Sequence, residues 1–384
     1  MTTIYLIRHA EAEGNLYRRI HGHYDSLVTL RGKKQIIELR NRFNDIKIDA
    51  VYSSDLYRTR MTAAAVTEGR GLDASLTARL REVSMGAWED LTWGEVERSE
   101  PTQLEYFNND PVAWRIDGCE PYIRLQNRMA DAIGEIAGCH DGQTVAIVSH
   151  GSAIRAYLCL LLGVPPQETK RVRHSDNTAV ALIRYERGNA ALEYYGDNSH
   201  LTEELSTFAH QKWWRENSTF DSTNLRFEPF DLTGDAGWYL DCRWEAFEAA
   251  GAQYRDQFEK KKIWLEKAGK HAAAHSRAVS LALVGDEPVG VLELDTKAGA
   301  DEKAGVIEFF SMIPAQRRMG MTVQLLGQAV SVYRPLGREK LRTIVEASNA
   351  QALGFCEKYG FVKAGEIEDT GVQKYVMEMD IALR

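Results

Sequence analysis

Apolar residues along this chain follow two rhythms. Some form short, near-continuous runs that suit buried strands; others recur every three or four positions, as on one face of a helix. Up to about residue 201 the two alternate. Strands are predicted at 3–7, 49–52, 144–148, 179–185 and 191–195, and helices at 30–43, 56–68, 125–137 and 152–162, with a long middle segment after the second helix. Such alternation implies a mostly parallel sheet with helices on its faces. Residues 202–224 are polar, carry the pair Trp213 and Trp214, and read as a linker helix plus a loop. From 225 the order changes: a strand (225–232), two helices (238–250 and 254–268), a hairpin (279–284 and 288–294) around Gly285-Asp286-Glu287, then strands at 305–312, 341–347 and 373–381 with helices between. Mixed pairing is the expectation there, and the division is 1–203, a linker over 204–223, and 224–384.

Charged residues interrupt the pattern at three strand ends. YLIRHAEAEGN delivers Arg8 and His9 where the first strand stops, with two carboxylates close behind. AVYSSDLYRTRMTAA offers Ser53 and Ser54 as helix caps and sets Arg58 about one turn into the helix. TVAIVSHGSAIRA delivers His150, with Gly151 permitting a sharp turn. In an open α/β sheet the carboxyl ends of strands converge on one crevice. Two histidines, two arginines and helix N-termini in one crevice make an anion site, and a phosphate suits the paired donors of a guanidinium.

Composition narrows the field. The 384 residues are 44% hydrophobic and 27% charged with a formal net charge of −8, which argues against a general nucleic-acid binder. No apolar stretch approaches the roughly 20 residues that span a bilayer, so no membrane is expected. The N-terminus shows no signal peptide, and Cys119, Cys139, Cys159, Cys242 and Cys356 are scattered, as reduced thiols in a cytoplasm would be. Neither half carries a metal-ligand cluster, so no metal is expected.

LIRHAEAEGN, SSDLYRTRMTA, LREVSMGAWEDLT and VSHG, in that order, resemble the histidine phosphatase superfamily. The resemblance implies a phosphoglycerate-mutase-like three-layer α/β sandwich with a mostly parallel sheet. It further implies His9 as the nucleophile, Arg8, Arg58, His150 and Asn15 around the phosphate, and Glu82 as proton donor to the leaving group. The partner would be a small phosphorylated metabolite. The region 89–128 is acidic and aromatic with dispersed arginines, and Gly118-Cys119-Glu120-Pro121 stands where related phosphatases carry a Gly-Gly-Glu-Ser-like stretch. Phosphomonoester hydrolysis is the preferred expectation and mutase chemistry the alternative.

In the second half, SMIPAQRRMGMTVQLLGQA ends a strand in a basic, glycine-bearing turn that opens a helix, and VEASNAQALGFCEKYGFVKAGE follows a later strand. Backbone N–H groups at such a turn can hold a pyrophosphate. Together the two stretches resemble the GNAT N-acetyltransferases, which implies a mixed α/β domain using acetyl-CoA as acyl donor and a small amine or protein amine as acceptor. The implied cofactor residues are Met312, Arg317, Arg318, Met319, Gly320, Met321, Thr322 and Asn349. Thr322 stands where Gly or Ala is usual, and Cys356 where many members carry a tyrosine. Glu308, Cys356 and Tyr359 are the candidates for acetyl transfer. A bifunctional enzyme is the leading expectation; a non-catalytic acetyl-CoA sensor or dimerisation domain is the alternative for the second half.

Overall fold

A computed structural model describes residues 1–211, 223–249, 256–369 and 371–383. Trp213, Trp214 and most of the expected linker lie outside the described residues. The chain divides into two compact units, one of residues 1–91 and 96–221 and the other of residues 92–95 and 222–384.

The first unit contains β1 (Thr2–Arg8), α1 (Glu13–Tyr17), α2 (Leu30–Phe43), β2 (Ala50–Ser53), α3 (Tyr57–Thr67), β3 (Ala74–Leu76), α4 (Trp93–Ser99), α5 (Pro101–Asn109), α6 (Tyr122–Cys139), β4 (Thr144–Ser149), α7 (Gly151–Leu161), β5 (Val180–Glu186) and β6 (Asn189–Asp197). Among the described residues its sheet has the order β3-β2-β4-β1-β5-β6. The first four strands are mutually parallel, while β5 and β6 are antiparallel. The central strands are apolar throughout because both sheet faces are covered. On α2, Thr29 caps the first turn by accepting from the Gly32 N–H at 3.0 Å. The helix then turns Ile36, Leu39 and Phe43 onto a core shared with Ile7, Val51, Val66 and Val148. Each such side chain contributes about 1.5–3 kcal/mol by burial.

Register brings the chemistry together. Arg8 is level with Ser149, and Ser53 with Val148. The next residues extend the ladder by one step: the His9 N–H donates to Ser149 O and the Ser54 N–H to Val148 O, both at 3.0 Å. His9, Ser54 and His150 therefore leave the sheet side by side.

Three local expectations need correction. Ser53 and Ser54 do not cap α3, whose N-cap is Leu56 without a side-chain bond; the Ser54 hydroxyl lies instead 2.9 Å from His150 Nε2. Arg58 is the second residue of α3, not one turn in. Gly151 is needed for close approach rather than for a turn, since a Cβ there would sit 3.2 Å from the Arg8 guanidinium. The strand β3 and the helices α4 and α5 carried too few periodic positions to be read from sequence.

The second unit contains β7 (Arg226–Pro229), α8 (Ala236–Ala249), α9 (Gln257–Ala274), β8 (Val279–Val284), β9 (Glu287–Asp295), β10 (Ala304–Met312), α10 (Val323–Tyr333), β11 (Lys340–Glu346), α11 (Ala350–Lys358), β12 (Val362–Asp369) and β13 (Val372–Asp380). Its sheet order is β12-β13-β11-β10-β9-β8-β7, and β10–β11 is its parallel pair among the described residues. This is the mixed pairing expected, and the whole is an α/β architecture compatible with the GNAT fold. The first strand is shorter than predicted, ending at Pro229, although the Phe230 N–H still donates to Val279 O at 3.0 Å. The helix α9 runs past 268 to Ala274 through an alanine-rich turn. The strand β12 was missed: its residues are exposed and lack the apolar alternation of a half-buried strand.

Among the described residues no helix is long and apolar enough to cross a membrane, and no group of three or more His, Cys, Asp or Glu is arranged to hold a metal. The five cysteines are free thiols.

Candidate active site

Arg8, His9 and His150 leave the strand ends of the first unit, and Arg58 from α3 and Glu82 from a loop join them. His9 is 2% exposed, and its ring lies 5.2 Å, centroid to centroid, from that of His150. Its Nδ1 is 2.8 Å from the carbonyl of Ala10. A carbonyl can only accept, so Nδ1 carries the proton and the Nε2 lone pair is left for chemistry. Burial, Arg58, Arg8 and His21 all hold the imidazole pKa well below 6.5, so the ring is neutral at pH 7. Burial and Arg58 do the same for His150.

The two arginines are held mainly by backbone carbonyls, with the Asp25 carboxylate 3.8 Å from Arg58. Arg58 donates to Tyr24 O at 3.1 Å, His21 O at 3.0 Å and Gly22 O at 2.7 Å. Burial brings its pKa down to about 10, which still leaves it charged at neutral pH. Arg8 donates to Ser175 O. Three buried nitrogens nevertheless have no partner: Arg8 Nε, Arg58 Nε and His150 Nδ1, the last a donor in the tautomer in which the Ser54 hydroxyl donates to Nε2. Unsatisfied buried polar atoms are rare and costly, and a tetrahedral oxyanion is a ligand that such donors suit.

Glu82 comes from the loop before residue 86, outside the strand ends. Its carboxylate accepts from the N–H groups of Ser152 (2.9 Å) and Ala153 (2.8 Å) in the first turn of α7 and from its own neighbour Val83 (2.9 Å). The Asn15 Oδ1 accepts from the Ala12 N–H at 3.1 Å and from the Asn177 amide at 3.4 Å. Sequence reasoning missed His21, whose ring meets that of His9 edge-on at 5.7 Å. It also missed Asn177, whose amide donates to His9 O at 2.9 Å, and Glu89, which accepts from the N–H groups of Gly22, His23, Tyr24 and Met85. Glu89 thereby shapes the loop whose carbonyls grip Arg58. The HGH tripeptide at 21–23 was the available signal for His21; the other two carry none.

In the second unit, β10 and β11 pair only from Ala304↔Lys340 to Ile307↔Thr343. At Glu308 a bulge shifts β10 against β9, and beyond it no ladder joins the carboxyl-terminal halves of β10 and β11. Just past that opening, Arg318 (φ 65°) and Gly320 (φ 80°) take left-handed backbone. The N–H groups of residues 318–322 donate to no protein acceptor among the described residues. A run of free amides ahead of α10 fits a pyrophosphate.

The remaining predicted residues divide. Met312 and Met321 are buried, and Met319 is exposed. The Arg317 guanidinium is paired with Glu245 and donates to Met312 O at 2.9 Å, so it braces the turn. Asn349 caps α11, accepting from the Ala352 N–H at 3.0 Å. Glu308 is ion-paired with Lys267 at 2.6 Å and lies 3.6 Å from Arg243. Cys356 is 1% exposed, with its thiol pushed by burial up to about 11. The Tyr359 ring packs 4.8 Å from that of Phe355.

A family model for the histidine phosphatase superfamily (branch 1) matches residues 4–198, and one for the acetyltransferase (GNAT) family matches residues 241–361. A protein of Escherichia fergusonii described as probable phosphoglycerate mutase GpmB is 32% identical over 206 residues, covering 52% of this chain and 95% of that protein. A protein of Citrobacter koseri with the same description matches with the same identity and coverage. Among solved structures, YhfR of Bacillus stearothermophilus is similar with a TM-score of 0.51 and 30% identity, over 52% of this chain and 99% of that one.

Proposed function

This chain belongs to the histidine phosphatase superfamily, with a GNAT-family segment following, and from that premise we propose that its first unit hydrolyses phosphomonoesters through a phosphohistidine at His9. The observation that carries the proposal is the set of orphaned donors on Arg8, Arg58 and His150 around a neutral His9. His9 Nε2 attacks phosphorus; the N–P bond forms as the ester P–O bond breaks, and the leaving oxygen takes a proton from the Glu82 carboxyl. Water then attacks phosphorus, gives its proton to Glu82, and releases inorganic phosphate with His9 restored. Arg8 and Arg58 neutralise the equatorial oxygens, where positioning and charge are most of the catalysis.

The descriptions of the curated relatives favour a second reading, phosphoglycerate mutase chemistry. Against it, Trp88, Phe107 and Trp114 fill the region after Glu82 with packed rings, and Arg128 is committed to Glu120 and to the carbonyls of residues 79, 81 and 82. Phosphate release from a panel of phosphomonoesters, measured beside interconversion of 2- and 3-phosphoglycerate, separates the two. Hydrolysis is expected to be the faster; an isomerisation that outpaces it makes the protein a mutase. Because the reactive form of His9 is the neutral one, and its pKa is depressed, kcat/KM should stay level as pH falls to 6.5 and drop only below that. A midpoint at or above 6.5 would contradict the assignment of His9.

For the second unit the same proposal assigns acetyl-CoA binding to the amides of residues 318–322. Acetyl-CoA supplies an activated acetyl group, and an amine acceptor can take it directly, without an enzyme thiol. Cys356 is buried and protonated, which argues against an acyl-cysteine. Calorimetric titration with acetyl-CoA should show binding that weakens at least about tenfold in Gly320→Val, since a β-branched residue is strained at that backbone angle. Amine-dependent thiol release on a broad panel then distinguishes a transferase from a sensor. Unchanged affinity in the variant would move the cofactor elsewhere.

A further inference from the structure

Two buried carboxylates of the first unit have no part in the chemistry above. Glu11, two residues after His9, is 1% exposed, and Asp176, next to the carbonyl that holds Arg8, is 3% exposed. Both bind the same short stretch of chain, beyond the end of the 4–198 match. Thr207 Oγ1 donates to Glu11 Oε2 at 3.1 Å. Gln35, which accepts from the Glu11 N–H at 2.8 Å, donates its amide to Leu205 O at 2.8 Å and to Thr207 Oγ1 at 3.1 Å. Asp176 accepts from the Ser206 hydroxyl at 2.6 Å and from the Phe208 N–H at 3.2 Å.

The stretch also reaches the phosphate clamp. The guanidinium carbon of Arg8 lies 5.8 Å from the centre of the Phe208 ring. Further on, the Gln211 amide donates to Asn15 O at 2.8 Å. A connection needed only to leave the domain would run over the surface, where its polar groups meet water. Glu11 also accepts from the Thr29 hydroxyl at 2.7 Å and pairs with Arg31 at 3.0 Å, so one buried polar network ties the stretch to the residues that follow His9.

We propose that residues 205–211 form a strap that belongs to the phosphate site: Thr207, bolted to Glu11, and Phe208, laid against Arg8, act as positioning residues for Arg8 and the His9 loop. Neither touches the phosphate. The inference rests on the phosphate reading given above.

The test uses the full chain and orthovanadate as the probe, with affinity measured by calorimetry and hydrolysis of an aryl phosphate beside it. Thr207→Val removes the hydroxyl at nearly constant shape, and Phe208→Ala removes the ring. Each should weaken vanadate binding and raise KM by about five- to thirtyfold, a change of about 1–2 kcal/mol at 1.4 kcal/mol per tenfold. Thr207→Ser, which restores the hydroxyl, should behave as wild type. Gln211→Ala, which disturbs only the strap's far end, should weaken binding two- to fivefold and serves if the first two variants unfold. Wild-type vanadate affinity in folded Thr207→Val and Phe208→Ala, or in Gln211→Ala where those two do not fold, would reduce the strap to packing and overturn the proposal. Absence of vanadate binding in the wild type itself would instead remove the phosphate reading, and the strap with it.

Discussion

His9→Ala is expected to lower phosphomonoester hydrolysis by three orders of magnitude or more, with the protein still folded. Loss of a nucleophile removes the covalent route entirely, and what persists is the modest effect of binding and charge alone. The side chain sits at the end of a strand that is already laddered on both sides, and its Nδ1 bond is to its own neighbour, so truncation disturbs little else. The orphaned donors of Arg8, Arg58 and His150 stay in place, so orthovanadate should still bind. Phosphate release and vanadate titration on the same preparation check both halves. Activity within tenfold of wild type would mean that the phosphate is transferred to some other group.

The largest effect on stability is expected in the second unit, at Glu293. This residue is fully buried on β9, accepting from the Tyr239 hydroxyl at 2.7 Å, from His271 Nδ1 at 2.8 Å and from the Arg243 guanidinium. The guanidinium is in turn set against the rings of Phe309 (4.8 Å) and Trp264 (5.1 Å). Glu293→Ala strips the buried Arg243 of its direct partner, leaving only the Glu308 carboxylate at 3.6 Å, and should cost about 3 kcal/mol, with Glu293→Gln costing less.

The pH dependence has a definite sign. Burial alone would raise the Glu293 pKa, but His271, Arg243 and Tyr239 bring it below 4.5. Its contribution is present above 4.5 and is lost as pH falls through the lowered value. Burial alone would lower His271, but Glu293 takes it above 6.5, so its contribution is complete below 6.5 and is lost as pH rises through the raised value. Thermal unfolding of wild type and variants should therefore differ most between about pH 4.5 and 6.5. A gap of equal size at pH 9 would show that the His271–Glu293 pair contributes none of it, since the Arg243–Glu293 pair stays charged there.

Glu293 also marks a limit of sequence reading. In the alternating run 287–295 it occupies an ordinary strand position, and its partners lie on two helices, at 239, 243 and 271. Glu308 was read as a candidate for acetyl transfer from its place on the strand before the glycine-bearing turn; its carboxylate, at a bulge in β10, instead meets Lys267 and Arg243. Arg317 matched a cofactor motif yet braces its own turn through Glu245.

What the sequence determined by itself was the alternation of strands and helices, the change of order after residue 225, and the delivery of Arg8, His9, Arg58 and His150 to strand ends. Those features depend on periodicity and on residues within a few positions of one another, and local backbone preference is written locally. Only the tertiary structure decided which donors remain unpaired, that Glu89 shapes the grip on Arg58, that Gly151 makes room for Arg8, and that residues 205–211 fold back onto Glu11 and Asp176. Each is a contact between residues tens to nearly two hundred positions apart. Such contacts exist because packing must satisfy every buried polar group at once, and that condition belongs to the folded whole rather than to any one segment.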